Sequence, residues 1–282
     1  QQIPRERWLE ARKSEVLPLT YFHIVFTLPH ELNSIILKNK SVTLNMLFKA
    51  VSKTLLQFAE NQLGGKPGFV AVLHTWDQQL KGHFHLHCLV AGGAVCSKSK
   101  HWIPCKENYL FNQEALSLVF RGKFIHYLTR AMHTGKLSFD GEYGQLKNNL
   151  YKHKWVVSVR EPIKKPQHVL EYLARYTHRV AIANSRLTAL KGGMVSFRYK
   201  DRKNNRLKKT TLSAVEFIRR FLLHTLPLGF VRIRHYGFLA NRGRTANLSF
   251  IRRLLKLPSQ LLKITHSIQK MMLKLTGIDI TL

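Results

Sequence analysis

The chain has 282 residues, of which 45% are hydrophobic, enough for a substantial core and too many for wholesale disorder. Its 46 lysines and arginines stand against 15 acidic residues, a formal charge of +31, and that self-repulsion in a folded chain points to a polyanionic partner, nucleic acid first and an anionic membrane surface second. No apolar run reaches the length of a bilayer span, the opening QQIPRERWLEARKS has no signal-peptide core, and Cys88, Cys96 and Cys105 have neither an even count nor CxxC spacing, which excludes a disulfide framework or zinc ribbon within these residues and points to a reducing compartment.

In chain order, residues 5–15 read as a short charged helix that Pro18 ends. Residues 21–28, YFHIVFTL, form a β-prone run stopped by Pro29 and are expected as a central strand. Helices follow over 31–37 and 43–62, the second with Leu44, Leu47, Phe48, Val51, Leu55 and Phe58 on one face. The glycine-rich stretch 64–68 is expected to break the chain. Strands over 69–75 and 84–91 come next, joined by a turn built from Asp77, Gln78, Gln79 and Gly82.

Residues 92–108 read as loop with short strands, 112–132 as an amphipathic helix, 143–152 as a shorter helix, 155–159 as a strand and 162–166 as a basic loop. A helix is expected over 168–180 and a loop over 184–193. A basic hairpin then pairs 194–200 with 207–212, and Ser213 caps a helix over 214–224. Residues 229–234 read as a short strand or extended segment, and 249–275 as a basic amphipathic helix that packs on the protein, on a partner or on a membrane surface. The alternation of strands, hairpins and helices predicts an α+β fold, a central antiparallel sheet flanked by helices. A soft boundary near Ala183 separates a core, 1–183, from a basic accessory region, 184–282.

Two constellations carry chemistry. His83, His85 and His87 alternate with Phe84, Leu86 and Cys88, so the histidines share one face of the strand and the apolar residues the other. An antiparallel partner brings His74 beside His85 and His87. Such a step with a third polar ligand on the neighbouring strand is a compact, open metal site; the alternative is a solvated histidine face. His83, at the turn, has an outer or solvated role, His23 and Thr27 are weaker candidates from the first strand, and Asp77 reads as a turn former.

Tyr172 and Tyr176, four positions apart on the expected helix, project from one face beside Arg175, His178 and Arg179. The alternative is half-buried packing. Downstream, SFRYKDRKNNRLKKT carries Arg198, Lys200, Arg202 and Lys203 in the basic and aromatic mix of a nucleic-acid groove. Arg232, Arg234, His235 and Arg242 form a second cluster suited to phosphate. A phenol with a pKa near ~10 is a poor nucleophile at neutral pH. Against a phosphodiester it needs a divalent cation to polarise the phosphate and cationic side chains to hold the backbone in line. The product is a 5′-phosphotyrosine and a free 3′-OH, and the covalent link allows rejoining without ATP.

The His85-Leu86-His87 step, the Tyr172 and Tyr176 pair and the segment FTLPHEL resemble the three motifs of the HUH single-strand endonucleases. With LPLTYFHIVFTLPHEL, HTWDQQLKGHFHLHCLVAGG, EYLARYTHRVAIANSRL and EFIRRFLLHTLPLGFVRIRHYGFLANRGR, the chain resembles more narrowly the two-tyrosine, rolling-circle transposases of the insertion sequence 91 family. The resemblance implies a sheet-centred endonuclease that nicks single-stranded DNA at transposon ends, in the bacterial cytoplasm among nucleoid DNA. It implies Mg²⁺ or Mn²⁺ on His85 and His87, with His74 the best match to the third ligand and Gln78 or Gln79 the alternatives. Tyr172 and Tyr176 are the implied nucleophiles. A Cys-rich zinc-binding segment, usual at the start of such proteins, is not found in these residues. A basic nucleic-acid binder without turnover is the alternative function.

Overall fold

The structure is a computed structural model that describes residues 12, 15–96, 98–99, 101–165, 168–169, 171, 181–201 and 204–258. Nine strands are formed by the described residues: β1 Tyr21–Thr27, β2 Lys66–Trp76, β3 Gly82–Cys96, β4 His101–Pro104, β5 Val157–Val159, β6 Leu187–Lys191, β7 Met194–Lys200, β8 Leu207–Ser213 and β9 Ile233–Gly237. The helices are α1 Asn33–Lys38, α2 Lys40–Leu63, α3 Gln113–His133, α4 Tyr143–Lys152, α5 Ala214–Leu222 and α6 Arg244–Leu254. The fold is α+β, as expected. Its central antiparallel sheet has the order β5-β1-β3-β2-β9, with β4 on the far end of β3, and β6-β7-β8 form a separate three-stranded sheet.

Period-two alternation divides the central sheet into two unlike faces. Phe22, Ile24 and Phe26 of β1, Phe69, Ala71 and Leu73 of β2, and Phe84, Leu86, Cys88 and Val90 of β3 make one apolar face. The α2 stripe of Leu44, Leu47, Phe48, Val51, Leu55 and Phe58 packs on it with Phe120, Phe124 and Leu128 of α3. The opposite face holds His23, His74, His85 and His87 on the alternate positions of the same strands. Farther along it, Tyr21, Val70, Val72, Leu89 and Ala91 pack under Val169 and under Leu248 and Ile251 of α6. The helical residues 168 and 169, and α6, therefore cover the face that carries the histidines.

Several boundaries differ from expectation for identifiable reasons. The stretch 64–68 is half cap and half strand: Gly64 ends α2 in the left-handed region (φ 63°), its N–H bonding Glu60 O at 3.0 Å. Gly68 already lies in β2, where a Cβ would come within 2.3 Å of the Phe238 ring. Within the loop with short strands expected over 92–108, β4 is such a strand, and β3 runs on past residue 91 to Cys96 to pair with it. The loop expected over 184–193 is a 3-10 turn, Asn184–Arg186, followed by β6, whose residues are all exposed and so leave no apolar alternation to read. The extended segment expected over 229–234 falls instead at β9, which pairs with β2 as an edge of the central sheet. That sheet thus draws strands from both sides of Ala183. The helix expected from residue 249 begins at Arg244 and ends at Leu254; residues 259–282 lie outside the described residues, as do most of the expected helix 5–15 and residues 172–180.

The turn between β2 and β3 is made by an unexpected residue. Asp77 does form it, its Oδ1 accepting from the N–H groups of Gln79 and Lys81 at 2.8 Å each. The positive φ of 61° falls on Leu80, not on Gly82, which has already entered β3. Leu80 is fully buried with Ala181, Ile182 and Phe197, against which Trp76, Leu212 and Phe217 pack. A left-handed leucine costs about 1–2 kcal/mol, which burying its whole side chain, about 1.5–3 kcal/mol, offsets. The hairpin tip is thereby plugged into the core of the small sheet. Leu80→Ala is expected to lower unfolding free energy by about 2–4 kcal/mol in urea titration. Leu80→Gly, which relieves the backbone, should be no more damaging than alanine, reversing the usual order.

Candidate metal centre

The β2–β3 register sets His74 directly opposite His85, one step before an irregularity between His74 and Trp76. There Trp76 faces Gly82, so β3 carries one residue more than β2 between the two pairs, a bulge in the histidine-bearing strand. His74, His85 and His87 are buried, and their ligand nitrogens lie within 4.8 Å of one another. Ring centroids are 4.5 Å apart for His74 and His87, 4.8 Å for His85 and His87, and 5.4 Å for His74 and His85.

Two of the rings are oriented from behind. His85 Nδ1 donates to the carbonyl of His83 at 2.8 Å. His87 Nδ1 lies 2.9 Å from Nε2 of His23 on β1, with the two rings stacked at 5.1 Å. Burial, then nearby Arg160 and His74, hold His23 down to about 4, so it is a neutral hydrogen-bond partner at neutral pH. A His87 Nδ1–H donating to His23, with the His85 bond, leaves Nε2 as the ligand atom of each ring. Partners of this kind fix tautomer and ring direction at metal sites. Three converging buried imidazoles fit a divalent transition ion; the nitrogen donors suit Mn²⁺ better than Mg²⁺, which prefers oxygen.

Gln78 and Gln79, the alternatives for the third ligand, stand on the turn beyond Trp76. Their backbone carbonyls are tied to the small sheet and α5: Gln78 O accepts from Arg186 Nη2, and Gln79 O from Arg220 Nη1 at 3.3 Å. Leu80 O accepts from His224 Nε2 at 3.1 Å, and Thr75 Oγ1 donates to His224 Nδ1 at 3.2 Å. Burial lowers the pKa of His224, which keeps Nδ1 available as an acceptor. Sequence reasoning missed Arg186, Arg220 and His224, because each reaches the turn across more than a hundred positions.

The proposed DNA contacts separate into groups. Arg198 and Lys200 are exposed on β7. Tyr172, Arg175, Tyr176, His178, Arg179, Arg202 and Lys203 lie outside the described residues. Arg234 is engaged inside the protein: its guanidinium lies 4.0 Å from the Phe48 ring centroid and 5.1 Å from that of Phe230, and Nη2 donates to Asn45 Oδ1 at 2.6 Å. Its register opposite Ala71 puts it on the helix-covered face, away from the histidines. Arg232 is half-buried, and desolvation lowers its pKa. The three cysteines are free thiols, and no described helix is long and apolar enough to cross a membrane.

Fold and site together define a strongly basic, sheet-centred protein with a buried histidine triad that could hold a metal ion. The chain belongs to the transposase family whose model, described as "Putative transposase", matches residues 68–247. The matched span starts within β2, takes in the whole histidine hairpin and ends in α6. The chain is 45% identical over 267 residues to "Putative transposase y4qJ" of Sinorhizobium fredii (strain NBRC 101917 / NGR234), covering 90% of this chain and 67% of that protein. It is 26% identical over 251 residues to "Transposase for insertion sequence element IS801" of Pseudomonas savastanoi pv. phaseolicola, covering 84% of this chain and 58% of that protein. No solved structure matches the chain. The resemblance to transposases read from the motifs is borne out.

Two outcomes are expected. In calorimetric titration with Mn²⁺, His85→Ala or His87→Ala should abolish binding, and His23→Ala should weaken it about 10–100-fold. His235 is held down to about 4 by burial and then by Arg244 and Arg12, against 6.5 in an unfolded chain. Between those values the unfolded state binds the proton and the folded state does not, so stability falls as pH drops from 6.5 toward 4. Urea titrations across that window should show the fall, and His235→Gln should reduce it, leaving the part due to His23.

Proposed function

We propose that this transposase nicks and rejoins single-stranded DNA at transposon ends through a 5′-phosphotyrosine, the chemistry of rolling-circle transposition. The observation that carries the reading is the placement of Val169. It packs on the histidine face of the sheet, in one cluster with Val70, Val72 and Leu89 of the strands that bear His74 and His87. Tyr172 is three positions farther on, a reach of at most about 11 Å from Cα to Cα whatever the local conformation. That reach leaves a phenol on the segment able to approach the imidazoles.

In the reaction, the Tyr172 or Tyr176 oxygen attacks phosphorus as its proton is lost. The bond from phosphorus to the 3′ oxygen breaks, and that oxygen leaves with the electron pair and is protonated. A divalent ion on His74, His85 and His87 would polarise the phosphate and stabilise the leaving oxygen. Arg175 and Arg179 hold the phosphate in line, and His178 orients a phenol. Attack by a 3′-OH on the phosphotyrosine reverses the step, and the second tyrosine permits a second cleavage before the first strand is released. The accessory region beyond Ala183 grips the strand through Arg198, Lys200, Arg202 and Lys203, on nucleoid DNA in the cytoplasm.

The test is incubation of the purified chain with Mn²⁺ and labelled single strands from the ends of the element that encodes it. A covalent 5′ adduct should form, disappear on chelation, survive either single tyrosine-to-phenylalanine change, and vanish when Tyr172→Phe and Tyr176→Phe are combined. Adduct persisting in the double variant would remove the tyrosines from the chemistry. Binding with no adduct under any divalent ion would leave a nucleic-acid binder.

A further inference from the structure

A cleft of about 450 Å³ lies between the β2–β3 turn and the ends of β7 and β8. Asp77, Gln78, Gln79 and His83 line one wall; Tyr199, Lys200, Asp201 and Lys208 line the other. The proposed metal ligands are His74, His85 and His87, and His83 bears on them through the carbonyl that holds His85 Nδ1. We propose that this cleft is a subsite for one unpaired nucleotide of single-stranded DNA, next to the phosphate presented to the histidines. The inference rests on the nicking reading for the identity of the strand, and on the following geometry for the subsite.

The cleft adjoins the metal centre at His83. His83 shares the face of His85 and His87, its ring centroid is 4.7 Å from that of His85, and its carbonyl holds His85 Nδ1. The wall is rigid, because the carbonyls of Gln78, Gln79 and Leu80 are all tied down by Arg186, Arg220 and His224. With the backbone so held, no hydrogen bond among the described residues occupies the side-chain amide of Gln78 or Gln79. Each offers a donor and an acceptor to a base edge, and adenine is the base such an amide pairs with best.

The opposite wall has the other two parts a nucleotide needs. Tyr199 sits across from Lys208 in the β7–β8 ladder, on the inner face with Phe197, and is half-buried. Its ring is a stacking platform of the kind that binds unpaired bases. Lys200 is exposed at the rim and is the cation offered to a passing backbone phosphate, whereas Lys208 is paired with Asp201 at 2.6 Å. The volume falls in the ~300–1,000 Å³ range of pockets that take one small molecule, far too little for a duplex.

The experiment uses the intact chain, fluorescent homopolymers of dA, dC and dT, and dT strands carrying one 2-aminopurine. Wild type should bind dA about tenfold more tightly than dT, and bound 2-aminopurine should be quenched by stacking. Tyr199→Ala should weaken binding about tenfold and remove the quench; Tyr199→Phe should restore both. Gln78→Ala combined with Gln79→Ala should bring dA and dT to equal affinity while the quench persists. Should Tyr199→Ala not fold, the wild-type preference and quench still decide. Equal wild-type affinities without quenching, or a Tyr199→Ala chain that binds and quenches like wild type, would overturn the subsite. Adduct formation with Mn²⁺ is scored separately on wild type: adduct without cleft effects defeats the subsite alone, and cleft effects without adduct keep the subsite and defeat the nicking reading.

Discussion

The pleat of one long hairpin governs this molecule. Because β2 and β3 pair His74 with His85, Phe69, Ala71 and Leu73 of β2 and Phe84, Leu86, Cys88 and Val90 of β3 are directed to the helix-covered side, and His74, His85 and His87 to the other. A slip of one residue would bury the imidazoles under α2 and expose Phe84, Leu86 and Cys88. The core itself opposes that slip: Phe69, Ala71 and Leu73 must meet α2 and α3, which a one-residue shift forbids. The geometry of the histidine triad is thus a by-product of hydrophobic packing on the far side of the same strands.

The tip of that hairpin is also the junction with the small sheet. Leu80 enters the cluster formed by Phe197, Ala181 and Ile182, and the adjoining carbonyls are held by two guanidiniums and an imidazole. The part of the chain richest in exposed cations is therefore fastened to the strand ends that carry His74 and His85. A nucleic-acid strand gripped by one would have its position set relative to the other, which is what in-line chemistry at a phosphate requires.

The charge is distributed to serve that arrangement. The scarce carboxylates are spent on structure: Glu216 pairs with Arg219 and Arg220, Glu15 with Arg12 and Arg244, and Asp77 closes the hairpin turn. Some arginines are spent likewise, Arg234 on aromatic rings and Asn45, and Arg186 on the turn. Composition alone would count these among the DNA-binding cations. The tertiary structure separates them from Arg198 and Lys200, which remain exposed.

Local pattern was enough for much of the fold. The α2 stripe, the Asn112-capped α3, α4, the β7–β8 ladder and the Ser213 cap all follow from periodicity and capping that a few neighbouring residues specify. The common face of His83, His85 and His87 follows from strand alternation, and His74 from a hairpin short enough to close locally. The rest depended on distant partners. β9 and β6 have little apolar alternation, so their membership in sheets was decided by what they met. His23 as the partner of His87, Leu80 as the plug at a positive φ, and Arg186, Arg220 and His224 as holders of the turn join residues far apart in the chain. Sequence by itself determined which side chains share a face, because backbone geometry repeats every two or 3.6 residues; only folding decided which faces touch, because that is settled by burial summed over the whole chain.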